Sequence, residues 1–418
     1  MTSPVWHPFT QHGLNEPIPL IERAEGAALY TSDGRRIIDA ISSWWVTTHG
    51  HNHPRITAAI ADQAQRLDQL IFAGWTHEPA ETLAAGLTRI MPRPLDHVFF
   101  SDSGSTCVEV ALKMALGFWA NRGEARHRIL VLEHSYHGDT IGAMSVGARG
   151  VFNRAYQALL FDVGTVPFPA QGVEQAALDA LEAACQSNDI AAFIAEPLLL
   201  GAGGMLIYPA WVLAEMRSLC ARHNVLFIAD EVMTGWGRTG TLLACDQAGV
   251  VPDILCLAKG LTGGSLPLAV TMATDEIYDA HYSTDRAMQF FHSSSYTANP
   301  IACAAANANL AIWREEPVTD RIAALGARQH ALLERLAMLP RTANPRQIGT
   351  MIALDVMEGS GAGSVGYLSD IAPRLLAHFR DNNVLLRPLG NTIYVMPPYC
   401  TEQSDLDRIG DVIEQFIT

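Results

Sequence analysis

Lys259 and Asp230 each follow a short apolar run, 225–229 ending in Asp230 and 254–257 leading into Ala258-Lys259-Gly260, with a separation of 259 − 230 = 29 residues. Three further apolar runs end in groups of definite chemistry. Run 191–195 ends in Glu196-Pro197, run 97–100 leads into Ser101-Asp102-Ser103-Gly104-Ser105-Thr106, and run 129–132 leads into His134-Ser135-Tyr136-His137-Gly138-Asp139. Singly these are weak signals, since an aspartate after a strand is more often a cap or turn residue. Jointly they match what pyridoxal 5′-phosphate (PLP) requires. Its aldehyde needs a lysine amine, and its pyridine nitrogen needs a carboxylate to stay protonated. Its phosphate suits backbone N–H groups at a helix N-terminus, and its ring suits an aromatic face. Lys259, Asp230, Gly104-Ser105 and Tyr136 supply these in turn.

Such residues must be positioned by strands. The runs 97–100, 129–132, 191–195, 225–229, 254–257 and 267–272 alternate with amphipathic stretches such as 108–120 and 211–223. Continuous apolar strands separated by helices predict an α/β fold with a mainly parallel sheet covered on both faces. Functional groups in such sheets gather at the carboxyl ends of the strands. The flanks differ. Residues 28–39 read as a hairpin with Asp33-Gly34 at its turn, and after residue 308 come a long helical pattern and strand-like pieces at 351–356 and 392–396. The chain therefore divides into a large domain, 61–308, and a smaller α+β domain built from 1–60 and 309–418.

The chain resembles the class III aminotransferases of PLP fold type I along essentially its whole length. The resemblance rests on Ile228-Ala229-Asp230-Glu231-Val232-Met233-Thr234-Gly235-Trp236-Gly237-Arg238-Thr239-Gly240, on Pro252-Asp253-Ile254-Leu255 and on Ala258-Lys259-Gly260-Leu261-Thr262-Gly263-Gly264. It narrows within that family through Trp6-His7-Pro8-Phe9-Thr10, Ser43-Trp44-Trp45, His49-Gly50-His51-Asn52-His53-Pro54 and Arg387-Pro388 with Tyr394-Val395-Met396-Pro397-Pro398-Tyr399. These are similar to members that convert 8-amino-7-oxononanoate to 7,8-diaminononanoate in biotin synthesis. The resemblance implies a large domain with a sheet of the seven-stranded type, ping-pong transamination, and an amino donor that is S-adenosylmethionine or, alternatively, lysine. It implies that Lys259 carries PLP as a Schiff base and shuttles the proton, that Asp230 pairs with the pyridine nitrogen, that Tyr136 stacks on the ring, and that Gly104 and Ser105 hold the phosphate. It further implies a homodimer in which Ser295 reaches the phosphate of the neighbouring subunit. Trp44, Trp45, Phe9, Asp139, Arg387 and Tyr394 would line the substrate site, with Arg387 facing the keto acid's carboxylate. Glu196 would either help position the ring or cap a turn. Two positions depart from the family pattern: Ser293-Ser294-Ser295 stands where Gly-Pro-Thr is usual, and Phe9 where a tyrosine is common.

Other chemistries fit less well. The net charge of −15, from 28 basic and 43 acidic residues, argues against nucleic acid or an anionic membrane as partner. The seven cysteines are scattered and never form a C-x-x-C pair, so neither a zinc nor a disulfide framework is expected and a reduced, cytoplasmic protein is. Gly235–Gly240 satisfies G-x-G-x-x-G, but Asp230-Glu231 separates it from its strand and Asp253 precedes the next strand rather than ending it, which disfavours an NAD-dependent dehydrogenase. His49, His51 and His53 alternate like a metal tract, yet sit in a Gly- and Pro-containing loop without a partnering ligand; no metal is expected. A class III enzyme for another ω-amine would keep Lys259 and Asp230 without needing the tryptophan pair.

Overall fold

The computed structural model describes residues 3–357 and 369–418. Its centre is a seven-stranded sheet in the order His97–Ser101, Ala269–Ala273, Ile254–Leu257, Leu226–Asp230, Ile190–Ala195, Arg128–Leu132, Gly164–Val166. Only Ala269–Ala273 runs against its neighbours; the pairings from Ile254–Leu257 to Gly164–Val166 are parallel. All six residues of Ile190–Ala195 and all five of Leu226–Asp230 are buried, because helices cover both faces. This is why these strands read as unbroken apolar runs rather than alternating ones. The edge strand Gly164–Val166 lacked an apolar run and was not predicted.

The helix Gly104–Asn121 starts at Ser103, whose hydroxyl accepts from the Thr106 amide while Thr106 accepts from the Ser103 amide. This capping box fixes the first turn and leaves the amides before Thr106 facing the strand ends.

The predicted hairpin forms: Ala28–Thr31 pairs antiparallel with Arg36–Asp39. The two chain ends then meet, since Val384–Leu385 pairs parallel with Arg36–Asp39 and sets Leu385 opposite Asp39. From this one registered pair the chain runs to Trp44 and Trp45 on one side and to Arg387 on the other. Thr342–Ile348, Met351–Val356 and Thr392–Val395 form a three-stranded sheet under the helices Val318–Ala337 and Gln403–Ile417. No helix among the described residues is long and apolar enough to cross a membrane.

Candidate active site

A cavity of about 420 Å³ opens at the carboxyl ends of the central strands and is lined by Lys259, Asp230, Tyr136, Glu196, Gly104 and Ser105, with Trp45 as one wall. Residues from five strand-end segments, with Trp45 from a sixth, thus meet where the parallel strands splay their ends. Lys259 directly follows the strand Ile254–Leu257 and Ala258, has φ +46, and its Nζ lies 4.7 Å from the centre of the Trp45 ring. Burial pulls its ammonium down to about 8, against Asp230 and Glu196, which favour the charged form. The amine is therefore far easier to deprotonate near neutral pH than an ordinary lysine.

Asp230 ends its strand and is buried. Its Oδ1 accepts from the Val232 amide at 3.1 Å, and its Oδ2 lies 2.7 Å from Nδ1 of the buried His137. A carboxylate only accepts, so the His137 proton sits on Nδ1. Nε2 of His137 is buried without a hydrogen-bond partner among the described residues. Sequence reasoning gives His137 no role; its place directly after Tyr136 is the available signal. Glu196 accepts from the Tyr136 amide at 3.0 Å and the Gly201 amide at 2.9 Å, and burial raises it to about 7. It both lines the cavity and braces the loop that carries Tyr136. Burial, then Asp139, push the Tyr136 phenol above its ordinary range.

The residues fit PLP. The helix turn at Gly104-Ser105 offers amides and a hydroxyl, Tyr136 offers a ring, Asp230 offers a braced carboxylate, and Lys259 offers an enclosed amine. The cradle is closed tightly by Gly138: at φ +130, an added Cβ there would lie 2.2 Å from Oγ and 2.9 Å from Cα of Ser105. Ser105 Oγ also accepts from the Asp139 amide at 3.1 Å, locking the helix turn to that loop.

The tryptophan pair stands on an unexpected element. Ser42, Ser43, Trp44 and Trp45 have φ of 53, 46, 74 and 72. With the Trp45 amide on the Ile41 carbonyl at 2.8 Å and the Val46 amide on the Ser42 carbonyl at 2.9 Å, they form one left-handed helical turn. Such a conformation costs L-residues about 1–2 kcal/mol each. Trp45 is buried and its Nε1 donates to the Tyr394 hydroxyl at 3.1 Å. Tyr394 is itself buried and stands behind Trp45 rather than in the cavity lining. Trp44 is 39% exposed and packs edge-on against Phe9 at 5.4 Å. The Arg387 guanidinium lies 5.5 Å from the Trp44 ring and 5.8 Å from that of Phe9, and donates to the Phe9 carbonyl at 3.0 Å. Phe9 and Asp139 line an adjoining space of about 520 Å³ with Phe152, Arg154 and Tyr156.

Ser295 is exposed and outside the cavity of this chain, its carbonyl accepting from Gln69. The three loop histidines diverge: His49 meets Asn309, His51 meets Asp39, and His53 faces Glu316. The glycine-rich stretch 235–240 opens no helix that could receive a dinucleotide. It is a loop anchored by the buried Glu231, which accepts from Thr234, Ala244 and Cys245, and it carries the buried Arg238.

Comparison with known proteins matches residues 10–417 to the aminotransferase class-III family. An adenosylmethionine-8-amino-7-oxononanoate aminotransferase from Synechococcus elongatus is 46% identical, over 99% of this chain and 98% of its own. The crystal structure of the enzyme of that name from Methanocaldococcus jannaschii superimposes with a TM-score of 0.95 at 32% identity, over 99% of this chain and 96% of its own. A PLP-bound amine transaminase from an uncultivated Pseudomonas species superimposes with a TM-score of 0.92 at 33% identity, over 100% of this chain and 99% of its own.

Proposed function

The chain belongs to the class III aminotransferases, which are PLP-dependent, and on that premise we propose that it converts 8-amino-7-oxononanoate to 7,8-diaminononanoate for biotin synthesis, with S-adenosylmethionine as donor. The observation that carries the substrate is the pairing of an apolar wall with a fixed cation: Trp45 borders the lysine cavity, and beyond it Arg387 is held between Trp44 and Phe9. A keto acid with a long methylene chain between its ketone and its carboxylate suits that arrangement.

Bound PLP supplies an aldehyde that captures amines and a ring that accepts electrons from the substrate carbon. The chain's own residues do the rest. Lys259 Nζ, made easier to deprotonate by burial, takes the proton from the amine-bearing carbon of the donor and returns one to the acceptor. Asp230, oriented by His137, holds the ring-nitrogen proton. Gly104 and Ser105 hold the phosphate at the helix N-terminus, and Tyr136, its loop braced by Glu196, packs on the ring face. Arg387 engages the acceptor carboxylate, and Trp45 shields the reacting carbon from water.

The proposal extends to a cytoplasmic homodimer with the domain division 1–60 plus 309–418 against 61–308. Ser295 is exposed on its own chain, so its hydroxyl is available to a second subunit. Among the described residues six of the seven cysteines are buried and all are free thiols, which suits a reducing compartment. A second donor has its own support: Phe9 gives the pocket a phenyl ring where relatives commonly carry a phenol, removing one hydrogen bond, worth about 0.5–1.5 kcal/mol, from a polar donor. Supplying 8-amino-7-oxononanoate with S-adenosylmethionine, lysine or simple ω-amines, and assaying 7,8-diaminononanoate by mass, tests both. Product with S-adenosylmethionine is expected. Product with lysine alone replaces the donor, and simple amines that convert bound PLP to pyridoxamine phosphate while 8-amino-7-oxononanoate fails to discharge it overturn the substrate.

A further inference from the structure

We propose that Asp39, with Arg238, is a positioning residue for the substrate wall: the two clamp Ser42–Trp45 in its left-handed turn and so set where Trp44 and Trp45 stand. The inference rests on reading those tryptophans as the wall. Neither clamp residue lines the cavity. Asp39 has no exposed surface, and its carboxylate is filled by four donors: the amides of Ile41 at 3.2 Å and Ser43 at 2.9 Å, Ser43 Oγ at 2.8 Å and His51 Nε2 at 2.8 Å. Three of the four belong to the turn or its entry.

Arg238 grips the exit. It is buried, and it donates to the carbonyls of Trp45 at 3.3 Å, Thr47 at 2.9 Å and Pro397 at 3.3 Å. A left-handed turn without glycine needs such outside partners, because its own torsions oppose it. The turn also abuts the lysine loop. An added Cβ on Gly264 (φ +89) would lie 2.5 Å from the Val46 carbonyl carbon, and the Thr48 amide donates to Gly263 at 3.3 Å. Because Asp39 is registered against Leu385, two residues before Arg387, the clamp also ties the apolar wall to the carboxylate-binding end.

The test uses Asp39→Ala, Asp39→Asn and Asp39→Ala with Ser43→Gly in the holoenzyme. Glycine takes φ +46 without penalty, so it should replace what the carboxylate does. Amide hydrogen exchange over residues 41–46 should quicken at least about 10-fold in Asp39→Ala and recover in the double variant. The acceptor KM should rise about 10-fold with kcat within about 3-fold, and recover alike. Asp39→Asn, which keeps an acceptor for the two amides, should fall between, and it carries the same readouts should Asp39→Ala not fold. Unchanged exchange, faster exchange with an unchanged KM, or no rescue by Ser43→Gly would each overturn the proposal. If the wild type does not use 8-amino-7-oxononanoate, the functional reading fails on its own; the clamp is then judged by exchange and by KM for whichever acceptor the enzyme does use.

Discussion

Enclosure makes the Lys259 amine easier to deprotonate: burial lowers it to about 8 although Asp230 and Glu196 pull the other way. The chain has only two lysines, Lys113 and Lys259, so amine-selective labelling of the cofactor-free protein can follow the site directly. Labelling of Lys259 should rise with a midpoint near 8, and Asp230→Asn should move that midpoint lower still, because it removes a carboxylate that favours the ammonium. A midpoint at the ordinary lysine value would contradict the enclosure. At the other end of the site, Arg387→Ala should weaken the acceptor by about 2–4 kcal/mol, the range for losing one partner of a desolvated charge pair. The donor half-reaction should suffer less, which single-turnover rates with each substrate would resolve. Lys259, Asp230, Glu196, Tyr136, Gly104 and Ser105 were legible in the sequence because each closes an apolar run, and the fold turns "end of a strand" into "wall of one cavity". Roles for Arg238 and His137 were not, because each acts through partners distant in sequence, and Asp39 was not, because its partners, though only 2–12 residues on, sit on a left-handed turn that the residue types do not announce. His137 reaches Asp230 across 93 residues and Arg238 reaches Trp45 across 193.

The buried parallel strands announced themselves by composition, and the helix Gly104–Asn121 by its pattern, though its first turn is set by a capping box that the periodicity began four residues too late to include. The left-handed turn Ser42–Trp45 left no trace, since Ser-Ser-Trp-Trp contains none of the glycine or asparagine that usually marks such backbone. Gly138 carries the more readable strain. With φ +130 and the Ser105 side chain against it, Gly138→Ala must push the loop off the helix turn. The apoprotein should lose about 1–3 kcal/mol, the usual cost of overpacking, and PLP affinity should fall at least about 10-fold, or roughly 1.4 kcal/mol. Thermal unfolding and titration of the cofactor's absorbance into the apoprotein measure the two separately. Unaltered affinity would mean that Gly104 and Ser105 do not hold the phosphate.

Across the whole molecule the two chain ends pair through Arg36–Asp39 and Val384–Leu385, a contact that a reading of local pattern could only infer from the likeness of the flanks. Ser295 lies outside the cavity of its own chain, so the proposed dimer makes a firm prediction. A Lys259→Ala chain and a Ser295→Asp chain, each inactive alone, should recover on mixing up to about a quarter of wild-type activity, since half of randomly paired two-fold dimers are hybrids with one intact site of two. No recovery, with hybrids verified by mass, would place Ser295 elsewhere. Everything proposed for the enzyme requires that amines be processed in the cavity at the strand ends. The most direct measurement is borohydride reduction of the holoenzyme, followed by digestion and location of the cofactor-bearing peptide. The pyridoxyl mass is expected on Lys259 and not on Lys113; a label on Lys113, or on neither lysine, would overturn the assignment.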